Sequence, residues 1–138
     1  MSKSALKTKE YLSVTYSKER APYGQYPSQF SDYLVKNYFN KSGKLLDLGC
    51  GRGEYLKALS DLNLKTYGVD ISPKLSEYSK ENNLNMIVAD LEASTLPLKE
   101  GSFDYVFSKS VIEHLREPAH LIQNAYNVLK PGGKAVFM

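Results

Sequence analysis

The sequence predicts an α/β fold built on a doubly wound, mainly parallel sheet. Two observations carry this. Short apolar runs that read as strands alternate with segments whose apolar residues recur at helical spacing. A glycine-rich turn, Gly49-Cys50-Gly51-Arg52-Gly53, joins the first of those runs directly to a helical segment, as a βαβ unit requires. Crossovers between parallel strands are right-handed, which leaves an open sheet with helices on both faces.

Residues 1–27 are rich in tyrosine, lysine and serine and are broken by Pro22, Gly24 and Pro27. A weak helix is expected over 6–20 and an irregular stretch after it. This segment is set apart as a lid or cap from a domain over 28–138. Ser28 is the expected cap of a helix running to about residue 39, with Phe30, Tyr33, Leu34 and Tyr38 on one apolar face. After the turn Asn40-Lys41-Ser42-Gly43, residues 44–48 read as a first strand. Residues 54–62 carry Leu56, Leu59 and Leu62 at helical spacing, and 64–70 read as a second strand. Pro73 suits the first turn of a helix reaching about residue 82. Residues 85–89 form a third strand, and a loop through Pro97 and Gly101 leads to a fourth over 103–108. A turn at 112–115 precedes a helix opened by Pro118, with Leu121, Ile122, Ala125 and Leu129 on one side. Pro131-Gly132-Gly133 should stop that helix, and 134–138 should begin a fifth strand.

A chain of 138 residues with 42% apolar residues can bury one core and no more. Lysine plus arginine number 18 against 15 acids, without a basic block, so a nucleic-acid partner is not expected. Cys50 is the single cysteine; an internal disulfide and a cysteine-rich zinc site are excluded, and a reducing, cytoplasmic setting fits. No apolar run reaches the roughly 18 residues of a membrane span. The charged start has no apolar stretch behind it, so no signal peptide and no membrane partner are expected.

Alternate glycines let the backbone turn sharply and let a ligand approach the main chain. Free amides at the following helix start favour a negative group. The dinucleotide fingerprint needs its third glycine where Glu54 stands, and here the last glycine falls one residue early, at Gly53. A carboxylate there would repel a pyrophosphate, which argues against a nicotinamide or flavin dinucleotide. Asp70, at the end of the second strand, can accept hydrogen bonds from both hydroxyls of a ribose.

The run Asp47-x-Gly49-x-Gly51-x-Gly53 resembles motif I of the class I, Rossmann-like methyltransferases that use S-adenosylmethionine. The resemblance extends over about residues 43–138. It implies that Asp47, Gly49, Cys50, Gly51 and Gly53 surround the methionine part of that cofactor, an ammonium and a carboxylate. Gly68-Val69-Asp70-Ile71-Ser72 resembles the family's acidic motif, with Asp70 on the ribose and Ile71 against the adenine. Asp90 matches the residue that accepts from the adenine amino group, and Leu91 would offer its backbone amide. Ser108, ending the fourth strand, completes the set. Tyr16 and Arg20, with Tyr23, are candidates for a lid, because aromatic faces attract a cation such as a sulfonium.

Likeness to ubiquinone and sugar O-methyltransferases implies a small-molecule acceptor methylated at oxygen. A protein or RNA acceptor, or a cofactor-binding fragment without turnover, are the alternatives. His114, after the fourth strand, is the best candidate for a general base, against the plainer reading of a packing histidine; His120 reads as a surface residue. Some relatives read E-V-I-E-H here and bind a divalent metal, but Ser110 replaces the first glutamate, so no metal is expected. Asp104 and the Pro-Gly-Gly turn read as architectural. The family sheet has seven strands and five are predicted here. The chain is therefore expected to lack C-terminal strands and to self-associate through an exposed fifth strand.

Overall fold

The computed structural model describes residues 22–39, 42–71 and 77–138. The helix expected over 6–20 lies outside them, as do Tyr16, Arg20 and Pro73. Helix α1 (Tyr26–Asn37) starts two residues before the expected Ser28, with Gln25 at the cap position and no side-chain cap. Pro27 takes the first turn instead, where its missing N–H has no intrahelical partner to lose. Strand β1 (Gly43–Leu48) leads through the glycine turn into α2 (Glu54–Ser60). Asn63, at a positive φ, then turns the chain into β2 (Leu64–Asp70). Helix α3 (Glu77–Glu81) and β3 (Asn85–Val88) follow. Strand β4 (Phe103–Ser108) ends in a 3-10 turn (Ile112–His114), then α4 (Pro118–Val128) and β5 (Leu129–Phe137).

All pairings are parallel, in the order β3-β2-β1-β4-β5. Side chains alternate across a strand, so Leu45 and Leu46 reach opposite faces. Leu45, Tyr105 and Phe107 pack with Leu34 of α1 and Leu59 of α2. Leu46, Leu48 and Val106 pack with Leu121, Ala125 and Val128 of α4. The sheet is doubly wound as expected.

The ending departs from expectation. Helix α4 stops at Val128, and Leu129 is already extended. Pro131-Gly132-Gly133 therefore does not stop the helix; it lies within β5. Phe103 faces Leu129 while Tyr105 faces Lys134, so the Pro-Gly-Gly stretch bulges out of register. Asp104 anchors this end of the sheet. Its Oδ2 accepts the Lys44 amide at 2.8 Å and its Oδ1 lies 3.2 Å from Lys130 Nζ. The Lys44 amide holds the Asp104 carboxyl below the usual carboxylate range, against a partial desolvation, with Lys130 assisting. Among the described residues, β3 and β5 are the outermost strands of the sheet.

Strand order reverses at β1, whose neighbours are β2 and β4. Ligands of open α/β sheets sit beyond the C-terminal strand ends at such a switch. The glycine turn can fold down onto β2 because Gly68 has no side chain. A Cβ there would stand 2.5 Å from both Cys50 Sγ and Leu56 Cδ1. Gly68→Val is expected to lose about 2–3 kcal/mol of unfolding free energy through overpacking. Urea denaturation would measure it, and a neutral result would mean that the turn does not need this contact.

Candidate active site

The glycine turn uses its amides inside the protein. The Gly49 and Cys50 N–H groups donate to the Val69 carbonyl at 2.7 and 3.1 Å, and the Gly53 N–H donates to the Cys50 carbonyl at 3.0 Å. The Gly51 N–H donates to Asp70 Oδ2 at 2.9 Å. Four amides of the turn are thus occupied within the protein; those of the first turn of α2, on which the expectation of a negative group rests, are not among them. Gly49, at φ +86°, also lets the chain beyond β4 close over the turn, since a Cβ there would lie 2.3 Å from Val111 Cγ2.

A cleft of about 370 Å³ opens beyond the ends of β1, β2 and β4. Of the candidate site residues, Asp47, Gly49, Cys50, Gly51, Asp70, Ile71, Asp90, Leu91 and His114 line it. Gly53 and Ser108 do not. Gly53 sits behind the turn, where a Cβ would meet Leu84. The Ser108 hydroxyl is buried and donates to the Leu48 carbonyl at 2.8 Å, which joins the ends of β4 and β1. Of the lid candidates, Tyr16 and Arg20 lie outside the described residues. Tyr23 packs beside the turn, with its ring 4.7 Å from that of Tyr78 and 4.5 Å from the Arg52 guanidinium.

Charge in the cleft is predominantly negative. Asp47 is buried, and no hydrogen bond reaches its carboxylate from the described residues. Burial, and secondarily the nearby Asp70, push its pKa up to about 8. Burial, helped by Asp47 and Asp70, raises the Cys50 thiol so far that it stays protonated and is no nucleophile. Asp90 lies in a turn whose Oδ1 accepts the Glu92 amide at 2.9 Å.

The opposite wall was not legible in the sequence. Arg52 pairs with Glu54 at 2.9 Å, and both line the cleft with Tyr55, Phe107 and Lys109. Burial pushes the Tyr55 phenol up to about 12, so it stays neutral. Lys109 Nζ lies 5.9 Å from the centre of the Tyr55 ring. Ser110 holds a left-handed φ of 56°, and its amide donates to the Met138 carbonyl at 2.7 Å. His114 stands exposed at the rim, its Nε2 3.9 Å from Glu113 Oε1. Among the described residues no group of three or more His, Cys, Asp or Glu is placed to hold a metal ion. None of the described helices is long and apolar enough to cross a membrane.

The fit to a positively charged nucleoside is direct. Two acids, Asp47 and Asp70, flank a glycine turn whose Gly49, Cys50, Gly51 and Gly53 amides are bonded within the protein. Asp70 lines the cleft while it holds the turn, and Ile71 and Leu91 add apolar surface. Phosphates would meet carboxylates there.

Residues 46–137 match a family described as methyltransferase domain. The chain is 32% identical to malonyl-[acyl-carrier protein] O-methyltransferase of Marinomonas sp. (strain MWYL1), over 97% of this chain and 53% of that one. It is 31% identical to the ubiquinone biosynthesis O-methyltransferase of Coxiella burnetii (strain RSA 493 / Nine Mile phase I), over 76% of this chain and 47% of that one. The chain thus spans about half the length of these two relatives. The crystal structure of the PH0226 protein from Pyrococcus horikoshii OT3 superimposes with a TM-score of 0.77 at 35% identity, covering 94% of this chain and 65% of that one. The switch-point cleft, the acids at the ends of β1 and β2 and this match over about two thirds of the sequence lead to one conclusion: the chain belongs to the class I, Rossmann-like family of methyltransferase domains that use S-adenosylmethionine.

Proposed function

We propose that the chain binds S-adenosylmethionine in this cleft and serves the transfer of its methyl group to an oxygen of a small-molecule acceptor. The observation that carries the reading is the pair of acids, Asp47 and Asp70, held beside a glycine turn whose Gly49, Cys50, Gly51 and Gly53 amides are already bonded. The choice of oxygen and of a small acceptor is supported by the two O-methyltransferase relatives named above.

When bound, the cofactor supplies an electrophilic methyl group on a sulfonium. The chain's own residues do the rest. Asp70, fixed by the Gly51 amide, accepts from the ribose hydroxyls. Asp47 faces the ammonium end. Ile71 and Leu91 enclose the adenine, and Asp90 accepts from its amino group. The wall formed by Tyr55, Lys109, Val111 and Leu115 holds the acceptor and excludes water; alignment of this kind is the larger part of catalysis in a displacement. His114, at the rim, takes the acceptor's proton.

Three outcomes test this. Calorimetry should detect S-adenosylhomocysteine binding, and Asp70→Ala should weaken it about 10- to 100-fold, the loss of a charged acceptor plus its turn contact. Tighter binding of NAD would refute the cofactor. His114→Ala should lower the methylation rate about 100-fold while leaving product binding within twofold; an unchanged rate returns His114 to a surface role.

The third concerns pH. Between about pH 4 and 8 the folded ligand-free state holds a proton on Asp47 that the unfolded chain has released. Stability must therefore fall as pH rises through that window, by on the order of a few kcal/mol. Asp47→Asn should flatten that limb in denaturation curves taken from pH 5 to 8. Binding an ammonium beside Asp47 favours its ionised form. At pH 6.5 binding should release close to one proton, read from the buffer dependence of the calorimetric enthalpy. Proton uptake instead would place the ammonium elsewhere.

A further inference from the structure

We propose that Glu92, His120 and Asn124 form a latch that positions Asp90 and Leu91 for the adenine end of the cofactor, a role that rests on the reading above. The loop at 90–93 follows β3, an outermost strand among the described residues, so no described strand fixes it on the outer side. It is fixed from α4 instead. His120 Nδ1 lies 2.7 Å from the Glu92 carbonyl; a carbonyl only accepts, so Nδ1 carries the proton. Asn124 Nδ2 donates to the Ala93 carbonyl at 2.9 Å, and Asn124 is buried. The two side chains are one helical turn apart and therefore share a face. They grip consecutive carbonyls of the loop.

The grip reaches the site through the backbone. The Glu92 N–H donates to Asp90 Oδ1 at 2.9 Å, so the peptide held by His120 is next to the one that aims the Asp90 carboxylate. Leu91, between them, is buried in the same core as Leu121 and Ala125 of α4. Burial alone would let the loop rotate about that one anchor. The two carbonyl contacts remove that freedom. Glu92 closes the latch from the other side. Its Oε1 accepts from the Arg116 amide and, at 3.1 Å, from the Glu117 amide, the last two residues before α4. Arg116 follows Leu115, which lines the cleft. One side chain thus joins the adenine side of the cleft to the segment that carries the acceptor wall. His120, which reads as a surface residue in the sequence, is a positioning residue acting through Glu92 on Asp90.

The test uses the full chain and S-adenosylhomocysteine, with variants in pairs. His120→Leu deletes the donor, whereas His120→Asn places an amide N–H close to the Nδ1 position. Glu92→Ala deletes the acceptor, whereas Glu92→Gln keeps it. The deletion variants should bind about tenfold more weakly, the effect of removing one directed hydrogen bond, and the conservative variants should stay within about threefold of the parent. Without ligand, Glu92→Ala should speed hydrogen exchange at the Arg116 and Glu117 amides about tenfold. Equal weakening in His120→Leu and His120→Asn would mark general damage to the helix and overturn the latch. Unchanged binding by His120→Leu, where the parent binds, would overturn the latch alone. A parent chain that binds no S-adenosylhomocysteine would overturn the cofactor reading and this role with it.

Discussion

The turn after β1 folds back onto the end of β2, and the rest of the cleft depends on that contact. Gly49 and Cys50 share one carbonyl, that of Val69, and Gly51 takes the carboxylate of the next residue, Asp70. Three consecutive amides are thereby fixed to two consecutive residues of a neighbouring strand. The turn cannot shift without breaking all three. Its approach is possible because Gly68 leaves room for Cys50 and Leu56, and because Gly49 leaves room for Val111 on the other side. A glycine turn in an α/β sheet is often a phosphate cradle because its amides point at the ligand. Here the same turn has been closed from within, and carboxylates stand where phosphates would otherwise sit.

Strands β2 and β4 were legible in the sequence to the residue, because apolar runs between turn residues fix both the period and the ends. The acids at the ends of β1, β2 and β3 were legible for a related reason: strand ends at a switch point face the crevice whatever the loops do. What failed was direction at positions decided by distant partners. Ser108 ends a strand in the correct place, yet its hydroxyl turns to Leu48, 60 residues away in sequence. Gly53 stands in the motif but packs behind it on Leu84. The far wall, from Arg52 and Tyr55 to Lys109, carries no local spacing of its own, because the fold assembles it from separate segments. Pro131-Gly132-Gly133 reads as a helix stop by composition, but α4 ends before it and the bulge in β5 absorbs it.

Burying Asp47 without a hydrogen bond from the described residues disfavours its charged form. The same burial keeps Cys50 protonated and inert, although it lies within the motif. Local burial thus sets the protonation of two neighbouring groups at the turn.

The cleft is divided between two halves of the sheet. Its floor comes from β1, β2 and β3, whose ends carry Asp47, Asp70 and Asp90. Its roof comes from the stretch after β4, and that stretch is held by β5: the Ser110 amide reaches the Met138 carbonyl, and the Met138 amide reaches the Ser108 carbonyl. The left-handed turn at Ser110 is thus tied to the residue that follows β5, while the Ser108 hydroxyl ties the end of β4 to Leu48 on the floor. The far wall of the cleft therefore carries its own hydrogen-bond frame, and a substitution after β4 meets that wall before it meets the acids of the floor.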